Sequence, residues 1–164
     1  MMNLSFFLPA IGKQLSLRTI DCLGNQKWIG RVKSIYEDFI VLQLEDDSQI
    51  VAPVSGITEF ALTNDRWSKL VPGPDAEIGA FSYTKYLDLL VANEIEVSVY
   101  ANPVYSVGGV KSEFYQIVCE HDNENGVLIL SERTALPVNR IGCIRHYATM
   151  PADILVLAKK VAKK

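Results

Sequence analysis

The residue types best suited to metal or nucleophilic chemistry fall in two short segments of the second half of the chain. Cys119, Glu120 and His121 are consecutive, and Cys143 precedes His146 by three positions. Zinc sites of the Cys2His2 kind usually have tighter paired spacing on turns, whereas these residues stand in segments with strand patterns. No nucleophile motif accompanies them. The sequence therefore predicts no metal, no cofactor and no enzyme.

A glycine-rich segment invites a comparison with phosphate-binding loops. Gly108 and Gly109 are followed by Val110, Lys111 and Ser112. A phosphate loop requires glycine immediately before its lysine, so that the backbone can wrap around the phosphates, and Val110 occupies that place. The segment is better interpreted as a β-strand that contains glycine.

Two aromatic residues and one polar pair are the candidates for nucleic-acid binding. Tyr36 and Phe39 have a spacing that single-strand binders use to stack on bases, although the same spacing is typical of core and turn packing. Asn139 and Arg140 are the polar and basic pair of the corresponding segment in the second half. The net charge of −3 provides no basic field, the usual source of affinity for phosphates.

Bulk composition predicts an ordinary soluble protein. Of 164 residues, 49% are hydrophobic and 21% are charged, so the chain can bury a core. Cys22, Cys119 and Cys143 lie singly in apolar stretches, which predicts buried free thiols in a reducing cytoplasm. No signal peptide and no membrane span are recognised. We therefore expect a cytoplasmic protein with no membrane partner.

The chain repeats itself at a distance of 84 positions. Pro53, Val54 and Ile57 recur as Pro137, Val138 and Ile141. Further pairs of similar segments follow the same order in both halves: 15–19 with 95–99, 30–34 with 109–112, and 39–42 with 127–130. Such a set predicts an internal duplication with insertions in the second copy.

Short strands with frequent turn signals dominate both copies, and helices are few. The prolines and glycine of segment 71–77 predict a linker, followed by a short helix over 78–92. A shorter helix over 6–14, limited by Pro9, is expected in the first half. After Pro151, an apolar face and four terminal lysines predict a helix. The predicted units are a first barrel (1–70), the linker (71–77), a second barrel (78–148) and a C-terminal helix (149–164).

Residues 20–42 resemble the first motif of the Sm/Hfq-like family. The segment has that motif's order of strand, tight turn, aromatic (Trp28), glycine (Gly30), curved strand, acidic turn and apolar strand. Residues 48–51, followed by Ile57, resemble the family's closing segment. Independently of the family, a narrow five-stranded barrel needs sharp strand curvature, which a glycine in mid-strand permits.

The resemblance implies a mainly β fold: two tandem Sm-like (SH3-like) five-stranded bent β-barrels, each with a short N-terminal helix, plus the C-terminal helix. It also implies a homo-oligomer, in which three chains form a pseudo-hexameric ring, and single-stranded RNA as a partner. Pro53 and Pro137 would then each remove one donor from the strand that pairs between barrels. The alternative is a scaffold, or a small-ligand-binding protein with a site near the linker and Trp67, that has no nucleic-acid role.

Overall fold

The computed structural model describes residues 3–20, 27–74, 76–106, 109–130 and 134–147, and within residues 102–116 it describes the backbone alone. Within these ranges the protein is mainly β, as the sequence predicts. The strands are β1 Gln14–Thr19, β2 Trp28–Tyr36, β3 Phe39–Leu44, β4 Gln49–Pro53, β5 Ile57–Leu62, β6 Ile78–Gly79, β7 Glu96–Ser106, β8 Gly109–Asp122, β9 Val127–Leu130, β10 Ala135–Pro137 and β11 Ile141–His146. One α-helix, α1 Tyr83–Asn93, and 3-10 helices at Leu4–Ala10, Val54–Gly56, Trp67–Lys69 and Val138–Arg140 complete the described elements.

The strands form one open sheet in the order β10-β9-β8-β7-β11-β4-β3-β2-β1-β5, and the short β6 lies parallel beside β2. All other pairings between these strands are antiparallel, and an isolated parallel bridge joins Ile11 to Val32. The first five strands and the last five therefore follow the same relative order, in which the fifth strand pairs with the first. The two sets meet where β11 pairs with β4.

The irregularities of the pairing recur in both sets. The register of β5 on β1 shifts at Thr58, and the register of β11 on β7 shifts at Gly142, which is 84 positions later. The register of β2 on β3 shifts at Lys33, and that of β8 on β9 shifts at Cys119. Because a bulge bends and twists its strand, both sets are curved at corresponding places.

The two proline-valine segments have the same local structure. Pro53 and Pro137 each end a strand, and each is followed by a three-residue 3-10 turn and the next strand. The backbone N–H of Val54 donates to the carbonyl of Asp38 at 2.9 Å, and that of Val138 donates to Gly126 at 2.8 Å. The correspondence at an offset of 84 that the sequence predicts is confirmed here.

The predicted correspondence between segments 30–34 and 109–112 is wrong. Gly109 to Lys111 pair with Ser106 to Val104, at the tip of the long β7–β8 hairpin. Gly30, by contrast, lies in mid-sheet between Leu15 and Leu44. The second copy has a longer first hairpin, and this length displaces the similar residues from the equivalent position. At Gly30 itself an added Cβ would lie 2.4 Å from the carbonyl oxygen of Gln43, so the strands approach closely there.

Helix α1 begins five residues later than predicted, because residues 78–79 form β6 instead. Ser82 is extended and its hydroxyl oxygen accepts the N–H of Lys85, while the Asp38 carboxylate accepts the N–H of Tyr83 at 2.7 Å. These two caps define the start of the helix. No described helix is long and apolar enough to cross a membrane.

The other helix predictions fare differently. Instead of a helix over 6–14, the first half has the 3-10 helix Leu4–Ala10, which includes Pro9, and Gln14 already belongs to β1. The predicted helix at 149–164 lies outside the described residues.

Two clusters of buried side chains form the core. One lies between α1 and the sheet, and the other lies under the 3-10 helix Leu4–Ala10. Each cluster contains residues from both halves of the sheet. Phe39 and Val51 of the first half pack with α1, whereas Tyr100 and Cys143 of the second half pack with β1 to β4. Burial therefore continues across the line where β4 meets β11.

Candidate assembly interface

The junction of β4 and β11, called the inner joint here, joins the two halves of the sheet. Val51, Ile50 and Gln49 pair with Ile144, Arg145 and His146. At one end of this ladder Gly56 contacts the backbone of Gly142, where an added Cβ would lie 2.4 Å from the Gly142 carbonyl oxygen. The inner joint therefore depends on a position without a side chain. Sequence reasoning missed this contact, although the occurrence of Arg140 84 positions after Gly56 marks a difference between the copies.

A polar network spans the inner joint on one face. The Arg145 guanidinium lies 2.7 Å from an Asp46 carboxylate oxygen and donates from Nε to the Ser48 hydroxyl at 3.1 Å. It also lies over the rings of Trp28 and Tyr147, at 5.6 and 5.0 Å from their centroids. Hydrogen bonds from Ser48, together with the charge of Arg145, lower the pKa of the Asp46 carboxyl. The network holds β11 against the turn between β3 and β4, which is almost 100 positions away in the sequence.

On the opposite face of β11, His146 is fully buried and shares a hydrogen bond through Nε2 with the hydroxyl of Tyr86 on α1. Burial lowers the pKa of His146 to about 4 and raises the pKa of Tyr86 well above its ordinary value. Both side chains are therefore neutral near pH 7. This contact fastens helix α1 to the inner joint.

The two ends of the sheet are the equivalents of the strands that form the inner joint. Among the described residues, β5 pairs only with β1 and β10 pairs only with β9. By strand order β5 corresponds to β11, and β10 corresponds to β4. We call β5 and β10 the outer edges. The strand equivalent to β11 and the strand equivalent to β4 thus each have one edge without a neighbouring strand among the described residues.

The backbone of β10 presents hydrogen-bonding groups to its outer side. The carbonyl of Thr134 and the N–H of Val138 both bond to the β9 side of the hairpin. Because successive residues of a strand point their backbone groups in opposite directions, the N–H of Ala135 faces away from β9. Pro137 lies on that same outer side and lacks a donor. Its missing N–H therefore leaves the β9–β10 ladder intact.

The same reasoning settles the position of Pro53. The recorded pairs of the inner joint run from Gln49 to Val51 and end two residues before Pro53. Because the N–H of Val54 bonds to Asp38 on the side of β3, Pro53 faces β11 and offers it no donor, and the ladder ends before this residue. Proline is tolerated at such a place because the strand ends there.

Side chains distinguish the inner joint from the outer edges. Tyr100 and Cys143 are buried beside the inner joint. The corresponding residues of the β1–β5 edge are Arg18 and Glu59, which form an ion pair of 3.8 Å with the Glu59 side chain 67% exposed. The positions that form a buried contact beside the inner joint are therefore occupied by an ion pair beside the outer edge β5.

The structure separates the four residues predicted to bind nucleic acid. Tyr36 and Phe39 are buried and stack on each other with ring centroids 4.6 Å apart. Phe81 and Tyr86 pack around them, so their rings contact protein in the way that the alternative of core packing describes. Asn139 and Arg140 are exposed on the 3-10 turn after β10. Binding of RNA by these residues stays a prediction.

The cysteine and histidine residues considered for metal chemistry lie in different surroundings. Cys143 is buried 3.9 Å from the Thr19 hydroxyl, and His146 bonds to Tyr86. His121 bonds to Asp88 at 2.9 Å. In the described ranges no three His, Cys, Asp or Glu residues are grouped as metal ligands would be. Cys119 is exposed, which contradicts the expectation of burial, and Cys22 lies outside the described residues.

Among the described residues, the first half has a larger and a smaller cleft. The larger, of about 720 Å³, lies on β1 to β3 and is lined by mixed charged and apolar residues that include Ile29, Arg31 and Asp47. The smaller, of about 390 Å³, lies beside the linker residues Gly73 and Pro74. Neither cleft includes Trp67, which packs instead on Phe6 and Phe60.

Comparison of the chain with models of protein families, with curated proteins and with solved structures found no match in any of the three. Its function is therefore inferred from its own geometry.

Proposed function

We propose that the chain is a non-enzymatic, self-assembling protein made of two tandem Sm-like barrels, residues 1–70 and 78–148, joined by the linker 71–77. Chains associate when β5 of one pairs with β10 of the next. The observation that carries this proposal is the strand order, in which β11 pairs with β4 inside the chain and leaves the equivalent strands at the two ends. The surface needed for a second such contact is therefore present.

The offset of 84 positions specifies the register of the contact between chains. Ile144 pairs with Val51 in the inner joint, and the corresponding residues are Phe60 and Ala135. The N–H of Thr63 donates to Gln14 on β1 at 3.3 Å, so alternation directs the backbone groups of Phe60 outward. Ala135 also points its N–H outward. Both members of the expected pair can therefore complete a ladder.

The contact is head-to-tail, since it joins different edges of neighbouring chains. Such heterologous contacts close into rings when the rotation between subunits permits. Each chain contributes two barrels, so three chains would make a ring of six. A trimer is therefore the assembly that we propose.

Native mass spectrometry and light scattering of the full chain at micromolar concentration test the proposal. We expect a particle of three times the mass of one chain. The Ala135→Pro variant should be monomeric, because it removes the outward N–H of β10 without touching the β9 ladder. Ala135→Ser keeps that N–H and serves as the matched control. A wild-type chain that stays monomeric would overturn the proposed function.

A further inference from the structure

We propose that the contact between chains is selected by charge: Glu59 of one chain pairs with Arg140 of the next, in place of the glycine contact that closes the inner joint. This inference rests on the proposed assembly and names the side chains that recognise the partner, which is a second copy of this chain.

The placement follows from the inner joint. There, Gly56 of the 3-10 turn after β4 lies against Gly142, at the bulge of β11. In a contact between β10 and β5, the corresponding residues are Arg140 and Thr58. Thr58 stands at the bulge of β5 and precedes Glu59. Arg140 would therefore lie opposite Thr58, the residue next to Glu59, and its side chain could reach the Glu59 carboxylate.

The contact between chains cannot copy the inner joint at this point. A Cβ on Gly56 would lie 2.4 Å from the carbonyl oxygen and 3.0 Å from the Cα of Gly142. Real Cβ atoms do not approach a backbone oxygen so closely, and Arg140 has a Cβ. The turn Val138–Arg140 must therefore stand further from β5 than the turn Val54–Gly56 stands from β11. A long side chain with a charged end can span the wider gap.

The charges on the two outer edges are complementary. Glu59 is 67% exposed, and its ion pair with Arg18 is long at 3.8 Å, so the carboxylate has room for a second cation. Arg140 is exposed, and no described carboxylate lies within ion-pair distance of it. Unlike charges across an interface determine register and partner more than they raise affinity, and salt screens them. Assembly should therefore weaken as the salt concentration rises.

Charge reversal in the full chain provides the test, with the dissociation constant measured by sedimentation or light scattering at low and high salt. The variants Glu59→Arg and Arg140→Glu should each assemble about tenfold more weakly, because like charges then meet at the contact. In a mixed ring of three, two contacts join unlike variants and again bring opposite charges together, while the third joins like charges, so an equimolar mixture should recover assembly only in part. The double variant E59R/R140E should assemble alone.

Two controls match the changes in net charge. Glu77→Arg and Lys85→Glu alter exposed residues away from both outer edges and should assemble like the wild type. Thermal unfolding of each variant establishes that its fold is retained.

The outcomes separate this inference from the proposed function. If the wild type assembles and the single variants keep its affinity and salt dependence, the charge contact is refuted while the assembly stands. If the double variant assembles no more tightly than the single variants, the pairing of these two residues is refuted. An Arg140→Gly variant that assembles more tightly than the wild type would mean that Arg140 hinders the contact between chains and does not select it, which refutes the inference. A monomeric wild type removes both proposals.

Discussion

The inner joint and the outer edges present the same strands in two different settings. At the inner joint, buried Tyr100 and Cys143, the close contact of Gly56 and the network of Arg145 hold β4 against β11. At the outer edges the equivalent positions carry exposed charges. Since the linker supplies the inner contact at a high effective concentration, its partners meet in every molecule. The proposed outer contact, in contrast, should depend on concentration and salt. In the proposed assembly, one geometry would serve both a permanent and an adjustable connection.

The largest expected effect comes from a cavity at the inner joint. Ile144→Ala removes a fully buried side chain between β11, β4 and α1, so we expect a loss of about 3 kcal/mol in the free energy of unfolding. Urea denaturation of the wild type and of Ile144→Ala measures this difference in the free energy of unfolding. Ala61→Ser, on the solvent-exposed part of β5, should change stability by less than about 0.5 kcal/mol. Equal losses in the two variants would contradict the distinction between joint and edge.

Acid should weaken the inner joint. The pKa of His146 is about 4 in the folded protein and about 6.5 in the unfolded chain, because burial opposes the charged form. The unfolded chain therefore binds the proton first as the pH falls. The contribution of His146 to stability is complete above pH 6.5, and it falls by about 3 kcal/mol as the pH drops through 4. The residue at the matching place on β5 is Leu62, which does not titrate.

Denaturation at a series of pH values from 7 to 4 measures this slope. In His146→Phe the slope between pH 6.5 and 4 should be smaller than in the wild type, whatever the absolute stability of the variant. An unchanged slope would show that His146 does not cause the acid sensitivity.

A smaller effect is expected at the glycine contact. Gly56→Ala places a Cβ against the Gly142 carbonyl, which should lower the free energy of unfolding by roughly 2 kcal/mol as the turn shifts. Arg140→Ala is the matched variant at the equivalent exposed turn and should cost under about 0.5 kcal/mol in the monomer. Chemical denaturation below the assembly concentration compares them. Equal stability of both variants would mean that the two turns are equally tolerant, and the comparison would fail.

Local patterns in the sequence predict local structure well in this chain. The segments that begin at Pro53 and Pro137 form the same strand end and turn, because a proline and the short turn after it are determined by neighbouring residues. The match between Gly30 and Gly109 misleads, since similarity of four residues does not reveal that the β7–β8 hairpin is longer. The helix start at Tyr83 was also missed, because its cap includes Asp38 from a distant turn.

The candidate site depends on contacts that a single sequence does not display. Tyr36 and Phe39 beside an acidic turn have the same pattern whether their faces are open or covered, and the covering residues come from α1, more than 40 positions away. Arg145 and Asp46 are separated by 99 positions. The repeat at 84 positions does allow one comparison from sequence alone, since it aligns Gly56 with Arg140.

The proline at the end of β10 also bears on misassociation. β10 has three residues, and within it Ala135 directs an N–H outward while Pro137 has none to offer. A strand from an unrelated protein could form few backbone hydrogen bonds with β10, so it would gain little free energy from binding there. Long flat edges promote fibrils because each added strand exposes a fresh template. A brief edge that ends in proline makes indefinite growth of that kind unfavourable.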